Sequence, residues 1–204
     1  VSSGTIDMFL VLVGAIYIAA QPEMYRNGLL HLVPPSAKKA AADALDSSGR
    51  ALRLWLGGQL VAMLVVGIMT GIGLWLLGVP AAFALALIAF LLDFVPIIGP
   101  IVAAIPGILL AFTVSPQVGF ATIALYVVLQ QIESNVLQPL IQQRAVELPP
   151  ALLLFSLVIF GSLQGAAGLL LAAPLTVVVY VLVKRLYVRE VLGGDTAVPG
   201  EREG

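Results

Sequence analysis

Residues 80–112 read PAAFALALIAFLLDFVPIIGPIVAAIPGILLAF, from Pro80 to Phe112. Two apolar arms, Ala81 to Leu92 and Ile101 to Phe112, are joined by Asp93-Phe94-Val95-Pro96-Ile97-Ile98-Gly99-Pro100. Each arm makes about 18 Å of helix, short of the roughly 20 residues a membrane crossing needs. A chain in hydrocarbon must satisfy its backbone polar groups internally, so such a break is tolerated only where protein or a water-filled cavity covers it. The pair is expected either to re-enter and return to one face or to cross as tilted spans. Pro106-Gly107 marks an expected kink in the second arm.

Working outward, composition sets the class. Hydrophobic residues make up 60% of the chain and charged residues 10%, with a mean hydropathy of +1.08, far too apolar for a soluble domain. The expected fold is an all-α polytopic membrane protein with two broken or re-entrant helical pairs, in partnership with a lipid bilayer. A net charge of −1 argues against a nucleic-acid partner. With no cysteine and a single histidine, His31, there is no disulfide framework, thiolate nucleophile, zinc cluster or HExxH motif. Neither a cofactor nor a metal site is expected. An intramembrane enzyme would also need a motif such as GxGD or GxSG, and GSLQG at 161–165 lacks the serine placement of a nucleophile turn. No catalytic residue is assigned.

On the N-terminal side, Ile6 to Ala20 is an apolar run slightly short for a span, and the valine start suggests a first span cut short or an upstream part missing. Residues 21–53 carry Arg26, Lys38, Lys39, Arg50 and Arg53, a basic bias that places them on the cytoplasmic side. After Pro34-Pro35, Ser36 is placed to cap an amphipathic segment at about 34–53, with Asp46 and Arg50 as an i,i+4 pair. This segment reads either as a helix lying on the membrane surface or as a solvated lead-in to the next span. Leu54 to Leu77 is the clearest span. Its Gly67 and Gly71 offer a close-packing face, either to a second copy or, the favoured reading, within the chain.

On the C-terminal side, Val118 to Pro139 turns polar in its second half. At about 100° per residue, Gln130, Gln131, Ser134, Asn135 and Gln138 share an arc of about 140°, with Glu133 about 60° outside it. The arc reads as a polar lumen or helix contact, or alternatively as residues that have already reached the interface. Pro149-Pro150 then opens a second broken pair, Ala151 to Phe160 and Leu169 to Val183, interrupted at residues 161–168. Two glycine- or proline-interrupted pairs are the sequence pointer to a transporter's binding region. Lys184, Arg185 and Arg189 put the C-terminus on the cytoplasmic side as well. Residues 1–192 are read as one transmembrane domain and 193–204 as a disordered tail.

Three stretches, GLWLLGVPAAFALALIAFLLDFVPIIGPIVAAIPGILLAF, QQIESNVLQPLI and LQGAAGLLLAAPL, resemble, in order, the signature segments of the autoinducer-2 exporter family, the PerM-like permeases. The resemblance implies a multi-pass protein of the bacterial inner membrane that exports a small solute such as an autoinducer-2-like signalling molecule, or exchanges sodium ions for protons. It also implies additional N-terminal spans and an extramembrane segment, to which no stretch of this sequence corresponds. Carried over by position, it marks Asp93, Pro96, Gly99 and Pro100, then Gln130 or Gln131, Glu133, Asn135 and Pro139, then Gly161, Gly165, Gly168 and Pro174.

The residues themselves suggest roles. Asp93, Glu133 and the amides Gln130, Gln131, Asn135 and Gln138 are expected to line a route for a solute or ion, with the prolines and glycines as hinge or packing residues. Asp93 and Glu133, facing one cavity, would bind a cation or exchange a proton as a coupled pair. Asp93 capping the helix break, and Glu133 pairing with Arg144, are the structural alternatives. A non-transporting membrane scaffold is the remaining reading. A chain this short is expected to assemble with copies of itself to enclose a pathway.

Overall fold

The computed structural model describes Val13, residues 17–139 and residues 148–194. Most of the expected first span, together with Arg144, Glu147 and the tail from Asp195, lies outside the described residues. Every regular element among the described residues is helical. In order they are α1 (Pro22–His31), a 3-10 turn (Pro35–Ala37), α2 (Lys38–Leu76), α3 (Ala82–Leu92), α4 (Ile98–Val114) and α5 (Pro116–Ile132). A π-helical turn (Glu133–Leu137), α6 (Pro150–Leu182) and a second π-helical turn (Val183–Arg189) complete them. The all-α membrane fold read from composition is therefore what forms, and three apolar stretches, Pro35–Leu76, Pro116–Leu137 and Pro150–Arg189, have the length for a span.

Helix α2 is one unbroken rod of 39 residues. At about 1.5 Å per residue it is nearly twice the roughly 30 Å of hydrocarbon, longer than one crossing needs. Residues 38–53 are helical and continuous with the run that follows. No proline interrupts them, and their alanines favour helix. Ser36 does not cap: it sits inside the 3-10 turn, and Ala37 is the N-cap with no side-chain bond. Asp46 receives a bidentate grip from Arg26 of α1, Nε to Oδ1 at 2.8 Å and Nη2 to Oδ2 at 2.9 Å.

The Gly67 and Gly71 face is used within the chain. A Cβ at Gly67 would lie 2.9 Å from Phe90 Cβ, and one at Gly71 2.9 Å from Ala86 Cβ, so α3 runs antiparallel against α2 at close range. Helix α4 continues through Pro106, so the expected kink does not interrupt it. Ser115 then turns the chain, its Oγ accepting from Val118 N at 3.2 Å with Pro116 in the first helical position, and α5 returns beside α4.

Both interrupted pairs are helical hairpins. In the first, α3 and α4 fold together so tightly that a Cβ on Gly99 would strike the Leu92 carbonyl. In the second, α6 consists of two helical arms, and Gly165 between them, at φ 60° and ψ −135°, folds the chain back. There a Cβ on Gly168 would strike the Phe160 carbonyl. The eight-residue interruption expected at 161–168 thus narrows to one non-helical residue, in a conformation essentially restricted to glycine.

The hairpins enter from opposite ends of α2. The first starts near Leu77, where Leu74, Val79, Leu85 and Ala111 cluster. The second packs Ala173, Val177 and Val181 against Ala51 and Trp55, near the charged end. Arg185 Nη2 reaches Asp43 Oδ2 at 3.3 Å, so the two basic segments lie at the same end of the molecule. The tip of the first meets the arms of the second: Val95 is buried with Leu157 and Ala172.

Candidate functional site

The tip of the first hairpin is built under strain. Ile98 N donates to Pro96 O at 2.8 Å across Ile97, whose φ of 72° and ψ of −55° form a γ-turn of the rare positive-φ kind. For a β-branched residue this is an outlying conformation, costing on the order of 1–3 kcal/mol, and it persists only where its surroundings impose it. Those surroundings include Phe94, edge-on to Trp55 with ring centroids 6.1 Å apart, and buried Pro96. Gln59 Nε2 adds a hydrogen bond to the Asp93 carbonyl at 2.7 Å.

This arrangement buries Asp93 to 1% exposure. Neither of its carboxylate oxygens has a hydrogen-bond partner among the described residues, and α4 begins at Ile97 without a side-chain cap. The capping role considered for Asp93 is therefore not the one its side chain performs.

Glu133 is 6% exposed and opens the π-helical turn that follows α5. The wider turn changes the angular spacing assumed for a regular helix, and π-turns often mark functional positions. Glu133 lies within electrostatic reach of Asp93, with the Gln138 side chain close by. The structure thus brings together two acidic groups that are 40 positions apart in sequence and come from different helices. Arg144, the alternative partner for Glu133, lies outside the described residues.

The amides separate into two sets. Gln130 and Gln138 are half-buried, and Gln130 lines a cavity together with Glu133. Gln131, Ser134 and Asn135 are exposed on the outer side of the same helix. Asn135 Nδ2 donates to both Gln131 O and Gln131 Oε1 at 2.9 Å, and Ser134 Oγ donates to Gln130 O at 2.6 Å. Within one chain the exposed set does not share a chamber with the carboxylates.

The cavity has a volume of about 360 Å³ and lies between α4 and α5, with Val66 and Thr70 of α2 behind it and Pro100 on its wall. Of the other marked residues, Gly99 and Gly168 are close-packing positions and Gly165 is the fold-back itself. Gly161 lies under Leu169, Pro174 sits within the second arm of α6, and Pro139 is exposed. The second tip is exposed where the first is buried, so the two breaks share a construction but not an environment.

Sequence reasoning overlooked Gln59 and Thr70. Both lie in the run Leu54 to Leu77, where they are the only side chains carrying an amide or hydroxyl. That rarity was the available signal.

Residues 1–187 match the family model described as AI-2E family transporter. "Putative transport protein YrrI" of Bacillus subtilis is 30% identical over 81% of this chain and 47% of its own length. A Thermotoga maritima protein, also named as a transport protein of that provisional kind, is 29% identical over 91% of this chain and 56% of its own length. The AI-2 transport protein TqsA of Escherichia coli is 28% identical over 90% of this chain and 53% of its own length. The chain spans about half the length of the curated relatives it matches.

Proposed function

The chain belongs to the AI-2E family of transporters, and from that premise we propose that it carries the route by which a small solute crosses the membrane, with Asp93 and Glu133 as the coupling groups. The observation that carries this reading is the burial of Asp93 in a strained helix break, unpaired and within reach of Glu133. Unpaired carboxylates are expensive inside a protein, and ionisable groups at membrane depth usually belong to a transport or proton pathway.

Opposed broken hairpins give a physical basis for movement. The tip of the first packs on the arms of the second through Val95, Leu157 and Ala172, an apolar contact without a hydrogen bond of its own. Protonation or cation binding at the acidic pair changes the charge beside that contact, which couples occupancy to the position of one hairpin against the other.

The finer reading is export of an autoinducer-2-like signalling molecule across the bacterial inner membrane, with residues 21–53 and the C-terminus in the cytoplasm. The similarity to TqsA, an AI-2 transport protein by name, lends it support. The proximity of the two carboxylates favours a second reading, sodium/proton antiport. Exposed Gln131 and Asn135 suit contact with a second copy of the chain, consistent with a homo-oligomer.

The test is flux into reconstituted vesicles with a panel of solutes, with and without imposed sodium and proton gradients. Asp93→Asn and Glu133→Gln are each expected to abolish gradient-driven flux while the protein remains folded. Wild-type flux in both variants refutes the coupling role. Gradient-driven sodium movement without any organic solute selects the antiport reading.

A further inference from the structure

Resting on the transport reading, we propose that the ion Asp93 binds is a proton and not a metal cation, and that the conformation seen is its loaded state. The oxygens at the first helix break decide between the two ligands. A cation that leaves water needs a ring of oxygens in place of its hydration shell, and in transporters with broken helices the unwound carbonyls supply them. Here those carbonyls already have donors. Leu92 O accepts from Val95 N at 3.0 Å, Val95 O from Gly99 N at 2.9 Å and Pro96 O from Ile98 N at 2.8 Å. The Asp93 carbonyl takes the Gln59 amide at 2.7 Å.

The carboxylate stands apart from these bonds. Both of its oxygens are closed to solvent and have no hydrogen-bond partner among the described residues. That enclosure leaves no room for a cation with its ligands, whereas a proton adds almost no volume to the oxygen that takes it.

Charge gives the same answer. From Leu54 to Val183 the described residues include no Lys, Arg or His, and their titratable members are Asp93, Glu133, Tyr126 and Tyr180. Just before this run Arg53 is exposed, and just after it Lys184 lies over the Tyr180 ring, 5.1 Å from its centroid. Around the tip, α2 contributes Trp55 and Gln59, α6 contributes Leu157 and Ala172, and the π-helical turn brings Glu133 within electrostatic reach. An ionised Asp93 would thus have no counter-charge and would face a second acid. A buried group in that position is carried in its neutral form, and two acids within reach take up protons as a pair.

Release needs water at the carboxylate, and therefore movement of the tip. The Gln59 bond, the Trp55–Phe94 contact and the packing of Val95 hold the tip in place, and the strained turn at Ile97 works against them.

The experiment records infrared spectra of the protein in lipid nanodiscs at about pH 7, where an exposed aspartate is ionised. A neutral carboxylic acid gives a carbonyl band that carboxylates lack. The band is expected in the unmodified protein, equal in sodium and in choline buffer, and is expected to be lost in Asp93→Asn. Incorporation of carboxyl-13C aspartate is expected to shift it. That isotope shift separates aspartate from glutamate in the unmodified chain, and so provides the readout if the variant fails to fold. Absence of the band, or its removal by sodium, overturns the proposal, as does a sodium-dependent rise in Tm that Asp93→Asn abolishes. A missing band joined to lost flux in Asp93→Asn refutes this inference and leaves the transport reading standing. A band in the unmodified protein beside undiminished flux in Asp93→Asn supports the proton and refutes the coupling role.

Discussion

Replacing Asp93 by leucine is expected to stabilise the protein while destroying its transport. Each carboxylate oxygen is a buried acceptor without a partner, and an unsatisfied buried acceptor costs about 1–3 kcal/mol. Two of them amount to about 2–6 kcal/mol, from which the larger leucine subtracts about 1–3 kcal/mol of packing strain. The net gain is then on the order of 1–3 kcal/mol, or a rise of about 2–10 °C in Tm for a chain of this size. Thermal unfolding in detergent, followed by the loss of the monodisperse elution peak, reads the stability, and vesicle flux reads the function. Asp93→Asn, which keeps the shape but leaves the amide unpaired, should lose flux with little change in Tm. A helix-capping aspartate would behave oppositely, losing about 0.5–2 kcal/mol on replacement. A fall in Tm for Asp93→Leu, joined to normal flux in Asp93→Asn, would refute the reasoning.

Gly99→Ala and Gly168→Ala each place a methyl group against a carbonyl of the opposing hairpin arm. Each is expected to cost about 1–3 kcal/mol in the same unfolding assay, whereas Gly57→Ala, with open space around it, should be neutral or slightly stabilising. Gln59→Leu leaves the Asp93 carbonyl without its 2.7 Å side-chain donor. It should lower Tm by several degrees, in keeping with about 1–3 kcal/mol for an orphaned carbonyl, and slow flux. The chain contains no cysteine, so single cysteines report topology cleanly. Ser36→Cys and Glu190→Cys should be labelled from the cytoplasmic side and Ser115→Cys from the other, and a shared side for Ser36→Cys and Ser115→Cys would contradict the hairpin arrangement.

Much of the architecture was legible because hydrocarbon imposes simple rules. Arms of about 12 residues around Asp93 to Pro100 are too short to span, so a break could be read without coordinates. The glycine step at Gly67 and Gly71 announced a close helix contact, and α3 provides it. Other features depended on geometry that residue spacing does not carry. An arc drawn from residue spacing alone grouped exposed Gln131, Ser134 and Asn135 with half-buried Gln130 and Gln138, because spacing along one helix does not say where its neighbours pack. Ile97, with nothing unusual in its type, carries the strained γ-turn because Phe94, Pro96 and Gln59 hold the residues around it.

The sequence by itself determined that the chain is helical, membrane-embedded and twice interrupted, because apolar run length and the placement of proline and glycine act locally along the backbone. Only the tertiary structure decided which polar groups are enclosed. Asp93 and Glu133 come within reach of one another, and Thr70 and Tyr126 share a cavity, through the packing of α2 to α5. Burial depends on every neighbour at once, whereas helix and turn preferences depend on a few adjacent residues. That is why the two carboxylates could be named from the sequence, while the chamber beside them had to be seen.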